Sequence, residues 1–320
     1  MQNIPIIDED FINSHTNYSE LISKLEKAFK FSKTEVPLRH HHDFSNHKEK
    51  TESTLLIMPA WNPGEDLGVK IITVNPNNNK YNLPSIQGIY IYFDAQKGLP
   101  KALLESKSLT VKRTAATSAL ASSFLSKKNA SSMLMIGTGS LSTELILAHA
   151  KVRPIKNVFV WGRNYKKAQE ICKELNIENF KVNPVKNLES IIGKVDIISC
   201  ATLSKTPLVH GQFIKKGQHI DLVGSYKKDM READDDTIKK ANIFLDTYEG
   251  GLKESGDIVI PLKSGILNKN DIKADLFELC QQKKKGRSND NEITLFKSVG
   301  HALEDLIAAK YYYKKHKTMF

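Results

Sequence analysis

Between Ser132 and about Asp246 the chain alternates short β-branched runs with stretches of helical periodicity. The runs are residues 133–136, 157–161, 196–200, 219–223 and 243–245, and each ends near Gly, Asn or Thr. Short apolar runs separated by helical segments mark parallel strands covered by crossover helices. The fold class expected here is therefore α/β, a doubly wound Rossmann sheet. Upstream the pattern changes. Residues 55–58, 68–74 and 86–94 read as strands separated by Pro/Asn-rich turns such as Asn75-Pro-Asn-Asn-Asn79, with a helix over about 18–31. This predicts a second, α+β region whose strands are mostly antiparallel. After Asn291 the apolar positions Leu295, Val299, Leu303, Leu306, Ile307 and Ala309 recur at helical spacing and predict a long final helix.

Length supports the division, since 320 residues exceed one small core and suit two domains. An apolar fraction of 40% is that of a soluble globular chain, and no apolar run approaches the roughly 20 residues that span a bilayer. The first residues show no basic stretch followed by an apolar one, so a cytoplasmic protein is expected. Three scattered cysteines, Cys172, Cys200 and Cys280, fit a reducing compartment and offer no disulfide framework. The net charge of +11 raises nucleic acid as a partner. However, the lysines come as scattered doublets without interleaved aromatics, so a solvated basic surface is expected, with no nucleic acid and no membrane as partners. The charged stretch 281–291 reads as a mobile surface loop.

Candidate chemistry begins at Gly137-Thr-Gly-Ser-Leu-Ser142, which follows one apolar run and opens the helical pattern Leu141, Leu145, Ala148. In that context a glycine-rich turn is a dinucleotide site. Gly137 permits the tight turn, Gly139 lets backbone approach a pyrophosphate, and Ser142 is small where a third glycine packs helix on strand. Thr138, Ser140 and Leu141 complete the loop, whose helix aims its amino end at the phosphates. The next run ends Trp161-Gly-Arg-Asn164 with no acid to hold ribose hydroxyls. Trp161, Arg163 and Asn164 occupy the ribose position, which predicts NADPH in preference to NADH.

A second candidate is Arg113, set among small residues in Leu109-Thr-Val-Lys-Arg-Thr-Ala-Ala-Thr-Ser-Ala-Leu-Ala121. A guanidinium with small neighbours can clamp a carboxylate bidentately; the alternative is an arginine paired with an acid. The string Arg113-Thr-Ala-Ala-Thr-Ser118 resembles the hallmark of the ornithine cyclodeaminase and mu-crystallin family. Further blocks resemble that family in order along nearly the whole chain. They are Pro37-Leu-Arg39, Gly68-Val-Lys70, the glycine turn, Ser199-Cys-Ala-Thr-Leu203, Val223-Gly-Ser225, Leu252-Lys-Glu-Ser-Gly-Asp257 and Leu295-Phe-Lys-Ser-Val-Gly300. The resemblance implies a Rossmann NADP-binding domain over 116–299. Beside it would stand a substrate-binding and dimerisation domain, residues 1–115 with 300–320, in a homodimer. It also implies that Arg39, Lys70 and Arg113 converge on a substrate carboxylate. Arg113 and Thr114 would also lie near the cofactor, and Ser85, Thr202, Val223 and Ser298 would line its nicotinamide and ribose.

The cyclodeaminases carry Gly-Gly-Asp where this chain has Gly224-Ser-Tyr226, so their acid/base aspartate is missing. Tyr226-Lys-Lys-Asp-Met-Arg-Glu232 instead resembles a block of the ketimine reductase branch. The expected reaction is thus NADPH-dependent reduction of Δ1-pyrroline-2-carboxylate, and of its six-membered homologue Δ1-piperideine-2-carboxylate, to L-proline and L-pipecolate. Lys70 and Asp229 are the candidate catalytic residues. Asp229 would supply or stabilise the proton at nitrogen, its alternative being a solvent-facing cap of a helix starting near Met230. Three other readings stay open: ornithine cyclodeamination, an alanine dehydrogenase-like activity, and a crystallin-like protein that binds NADPH and a carboxylate without turnover. The cluster Arg39-His-His-His-Asp43 invites a metal, but strand alternation splits the imidazoles between two faces and no further ligand stands at the right spacing, so none is expected.

Overall fold

The computed structural model describes residues 4–31, 33–48 and 51–319. Residues 1–3 and 320, which belong to the expected first domain and, at the amino end, to the segment read for a leader, lie outside the described residues. The chain divides into two units, Met1–Arg113 with His301–Phe320, and Thr114–Gly300.

The first unit is built on one six-stranded sheet. Its strands are β1 (Ile6–Ile7), β2 (His40–Asn46), β3 (Thr51–Asn62), β4 (Asp66–Val74), β5 (Ile86–Asp94) and β6 (Leu99–Glu105), in spatial order β1-β6-β5-β4-β3-β2. Every pairing is antiparallel except β1 with β6. In β4 burial alternates strictly from Asp66 to Ile72, so Asp66, Gly68, Lys70 and Ile72 share the covered face. The final helix, Ala302–Met319, packs on β3, β4, β5 and the helix Tyr18–Phe31. The latter buries Leu21, Ile22, Leu25 and Phe29, a stripe at helical spacing.

In the second unit all eight strands are parallel. They are β7 (Ser132–Ile136), β8 (Asn157–Trp161), β9 (Lys181–Pro184), β10 (Ile197–Cys200), β11 (His219–Leu222), β12 (Asn242–Leu245), β13 (Ile272–Asp275) and β14 (Thr294–Lys297), in order β13-β12-β14-β11-β10-β7-β8-β9. From β7 the chain builds outward through β8 and β9, then returns to place β10 on the other side of β7. That reversal is the topological switch point, where open α/β sheets bind ligands beyond the carboxyl ends of the strands.

Three local expectations are corrected. Residues 294–297, read as the start of the final helix, are strand β14, and the helix begins at Ala302. All four residues of β14 are buried, and a short apolar run covered on both faces has no period that separates strand from helix. The stretch 281–291 is pinned, because Arg287 donates to three backbone carbonyls, from Nε to Leu125 at 2.7 Å, from Nη1 to Glu292 at 2.6 Å and from Nη2 to Gln218 at 3.0 Å. With Arg153, whose Nη2 reaches the Ser122, Ser123 and Ser126 carbonyls, Arg287 satisfies the acceptors at the end of helix Ser106–Leu125. No helix starts near Met230. The next one is Asp235–Lys240, capped by Asp234, whose side chain accepts from the Thr237 amide. Strands β9 and β13 and the full lengths of β2 and β6 were not legible as strands.

Candidate active site

At the switch point the glycine turn lies between the ends of β7 and β10. Gly137 has φ +125°, and a Cβ there would stand 2.6 Å from the Ala201 carbonyl oxygen, so only glycine makes the turn without strain. Gly139 is the N-cap of helix Ser140–Val152, no side chain caps it, and nothing lies within 4 Å of where its Cβ would be. The helix start thus leaves its amide donors facing an open cradle, the geometry that receives a pyrophosphate. Ser142 is fully buried against the sheet.

Above this turn opens a cleft of about 970 Å³. Of the cofactor residues expected from sequence, Gly137, Thr138, Gly139, Trp161, Arg163, Asn164 and Thr202 line it. Asn164 caps helix Tyr165–Glu174, accepting from the Lys166 amide at 3.0 Å, and so fixes the β8 turn that carries Arg163. Lys167 and Lys205 also line the cleft and were not singled out in sequence. Ser140 and Leu141 open the helix beside it. Val223 follows β11 and is nearly buried, its amide donating to the Cys200 carbonyl. Ser298 is buried after β14, its hydroxyl 3.2 Å from Asp246 Oδ2, which also accepts from the Val299 and Gly300 amides. Thr114 is buried at the start of this unit. Ser85 belongs to the first unit, exposed in the loop before β5.

The first unit holds the three expected cations. Lys70 is 1% exposed, and its Nζ lies 2.7 Å from Asp305 Oδ2 and 3.4 Å from Thr110 Oγ1. Arg113 is also buried and spans two acids, Nε to Asp305 Oδ1 at 2.8 Å and Nη1 to Glu304 Oε2 at 2.7 Å. Both carboxylates come from the first turn of the final helix and are fully buried. Burial first, with the Arg113 and Arg39 charges beside it, brings the Lys70 ammonium down from 10.5 to about 8 against the opposing pull of Asp305. Arg39 is therefore within electrostatic range of Lys70. Asp305 is pushed up by burial yet held below its ordinary value, because Arg113 and Lys70 outweigh that burial. Opposite Lys70 on β5, the buried Tyr90 places its hydroxyl where a Gly68 side chain would start. The two acids were missed in sequence; their signal was a pair of carboxylates inside an otherwise apolar helical stripe.

Asp229 stands apart from such burial. It is exposed in the second unit, and its carboxylate lies 2.8 Å from Lys205 Nζ, a hydrogen bond that holds it below the usual carboxylate range. Among the described residues no group of His, Cys, Asp and Glu could hold a metal ion. No helix among them is long and apolar enough to cross a membrane.

A family model for the ornithine cyclodeaminase/mu-crystallin family matches residues 6–319. The chain belongs to that family. It is 38% identical over 311 residues to the Δ(1)-pyrroline-2-carboxylate reductase of Colwellia psychrerythraea, covering 95% of this chain and 96% of the relative. The structure of the Thermococcus litoralis Δ(1)-pyrroline-2-carboxylate reductase in complex with NADH and L-proline matches with a TM-score of 0.92. It has 34% identity and covers 99% of this chain and 98% of that one. An archaeal alanine dehydrogenase dimer with bound NAD matches with a TM-score of 0.90 at 26% identity, over 99% of this chain and 97% of that one.

Proposed function

We propose that this family member is an imine-reducing oxidoreductase that converts Δ1-pyrroline-2-carboxylate, and Δ1-piperideine-2-carboxylate, to L-proline and L-pipecolate with NADPH. The observation that carries this reading is the buried cation pair Lys70 and Arg113, held rigid by the final helix, with the half-buried Arg39 adding a third positive charge. A small anionic substrate needs such fixed donors, and Lys70 and Arg113 keep N–H groups beyond those their carboxylates use. The relatives named as reductases of this substrate support it.

When bound, the nicotinamide supplies hydride to the imine carbon. The chain's own work is to hold the carboxylate, to orient the ring, and to place a proton at the imine nitrogen, since an iminium accepts hydride more readily than a neutral imine. Lys70, poised near pH 8, suits the proton role. Asp229 is the other candidate, although its low pKa makes it a weak donor at neutral pH. Asp229→Asn should cut turnover about 10²-fold or more if it handles the proton, and near-wild-type turnover leaves the role to Lys70.

The preference for NADPH is our reading, and Arg163 and Lys167, two cations that line the cleft, support it. We further propose that the protein works as a cytoplasmic homodimer whose first unit carries the substrate and dimer contacts. One panel tests the function: NADPH oxidation with pyrroline-2-carboxylate, ammonia release from ornithine, and NAD reduction with alanine. NADPH oxidation dominated by the cyclic imine is the expected result. Ammonia release or NAD reduction in its place would assign the chain to a cyclodeaminase or dehydrogenase, and tight ligand binding without turnover to a crystallin-like role.

A further inference from the structure

A buried carboxylate below the cleft joins its two loops. Glu232 is fully buried, and both its oxygens are saturated by donors from the turns that follow β10 and β11. Oε1 accepts from the Thr202 amide at 2.7 Å and the Thr202 hydroxyl at 3.0 Å. Oε2 accepts from the amides of Gly224 at 2.9 Å and Ser225 at 3.1 Å. The turns are in close contact here, since a Cβ on Gly224 would stand 2.1 Å from the Thr202 backbone. Glu232 is itself held from behind. Its amide donates to Asp257 Oδ1 at 2.7 Å, and Lys297 Nζ from β14 sits 3.2 Å from Asp257 Oδ2 and 3.8 Å from Glu232 Oε2.

A dinucleotide lies across a switch point with its adenosine half toward the β8 side and its nicotinamide half toward the β10 side. Thr202 lines the cleft on the β10 side, and Arg163 lines it on the β8 side. These four donors lie in the turns that follow β10 and β11, the Cys200 thiol at the end of β10 adds to them, and none of them lies in the β8 turn.

We propose that Glu232 is a positioning residue for the nicotinamide half of the cofactor, a single carboxylate that splices the β10 and β11 turns into one rigid wall. It touches no reacting atom and acts through Thr202 and the backbone of Val223–Ser225. One carboxylate that accepts from both turns fixes their separation in the free protein, so the wall is preorganised before the cofactor arrives. The proposal rests on the reading of this cleft as a dinucleotide site.

The test is calorimetric binding of NADP+ and of adenosine 2′,5′-bisphosphate, which lacks the nicotinamide half, to wild type, Glu232→Gln and Glu232→Ala, with thermal melts alongside. The expected result is that both variants lose NADP+ affinity by about tenfold to a hundredfold while the adenosine bisphosphate binds as in wild type. Equal losses for both ligands would mean general loosening and overturn the proposal, as would unchanged binding of both. If Glu232→Ala does not fold, Glu232→Gln and amide exchange in the wild type carry the test. The Thr202, Gly224 and Ser225 amides should be protected without cofactor, and fast exchange at all three refutes the clamp. A wild type that prefers NAD+ is tested with NAD+ and adenosine 5′-monophosphate in their place, and one that binds neither NADP+ nor NAD+ refutes the dinucleotide reading itself, a separate outcome.

Discussion

Under the proposed function the two units would receive anions by opposite means. In the second, the cradle at Gly137–Gly139 presents neutral backbone amides and an uncapped helix start, and it depends on the lack of side chains. In the first, Lys70 and Arg113 are full charges sunk among strands and helices, stabilised only because Asp305 and Glu304 meet them there. The backbone cradle needs no compensating charge, so it can stay open to solvent. A buried ammonium or guanidinium cannot, because desolvation costs several kcal/mol per ion unless an opposite charge offsets it. The lesson is that the cofactor side should be sensitive to added volume and the cation side to lost charge.

The largest break in that comparison is Arg113→Met. It leaves Glu304 and Asp305 buried with one partner fewer, and it should cost about 3–5 kcal/mol of stability together with about 10²-fold or more in kcat/KM. Denaturant unfolding and steady-state kinetics check it, and unaltered stability would show that the network does not hold the unit together. Next is Gly139→Ala, where the free protein has room for the methyl group. Melting temperature should stay put while cofactor affinity falls about tenfold, roughly 1.4 kcal/mol, whereas Gly137→Ala should also destabilise by about 1–3 kcal/mol.

Third is the pH response. Lys70 loses its proton near pH 8 in the folded chain but near 10.5 unfolded. Across that window the unfolded state binds more protons, so this group makes stability rise with pH, its cost being fully present below pH 8. Activity should move the other way, kcat/KM falling above pH 8 as the charge is lost, and a Lys70→Arg variant should lack that alkaline limb. The smallest effect is Arg163→Ala, which should lower the NADPH to NADH affinity ratio by about tenfold, near 1.4 kcal/mol, and leave NADH binding unchanged. Equal titration curves for the two cofactors in the wild type would remove the reason for expecting it.

Much of the second unit was legible because its information is local. The run before Gly137 and the spacing of Gly137 and Gly139 specify strand, turn and helix within ten residues, and the observed Ser132–Ile136 and Ser140–Val152 follow that order. Residues 157–161 and 86–94 coincide with β8 and β5 for the same reason. The failures are equally local. β14 is buried on both faces and carries no period, and Arg287 holds a charged stretch by bonds to carbonyls more than sixty positions away, which composition cannot reveal.

The sequence by itself determined the fold class, many of the elements, the glycine turn and the family, since each is written in short strings or simple periods. Tertiary structure alone decided the state of the charged residues. Lys70 and Arg113 acquire Asp305 and Glu304 from a helix some two hundred positions along the chain. Glu232 acquires Thr202 and Gly224 from two different turns. Charge and proton affinity depend on which groups burial brings within a few ångströms, and that distance is set by packing, not by order along the chain.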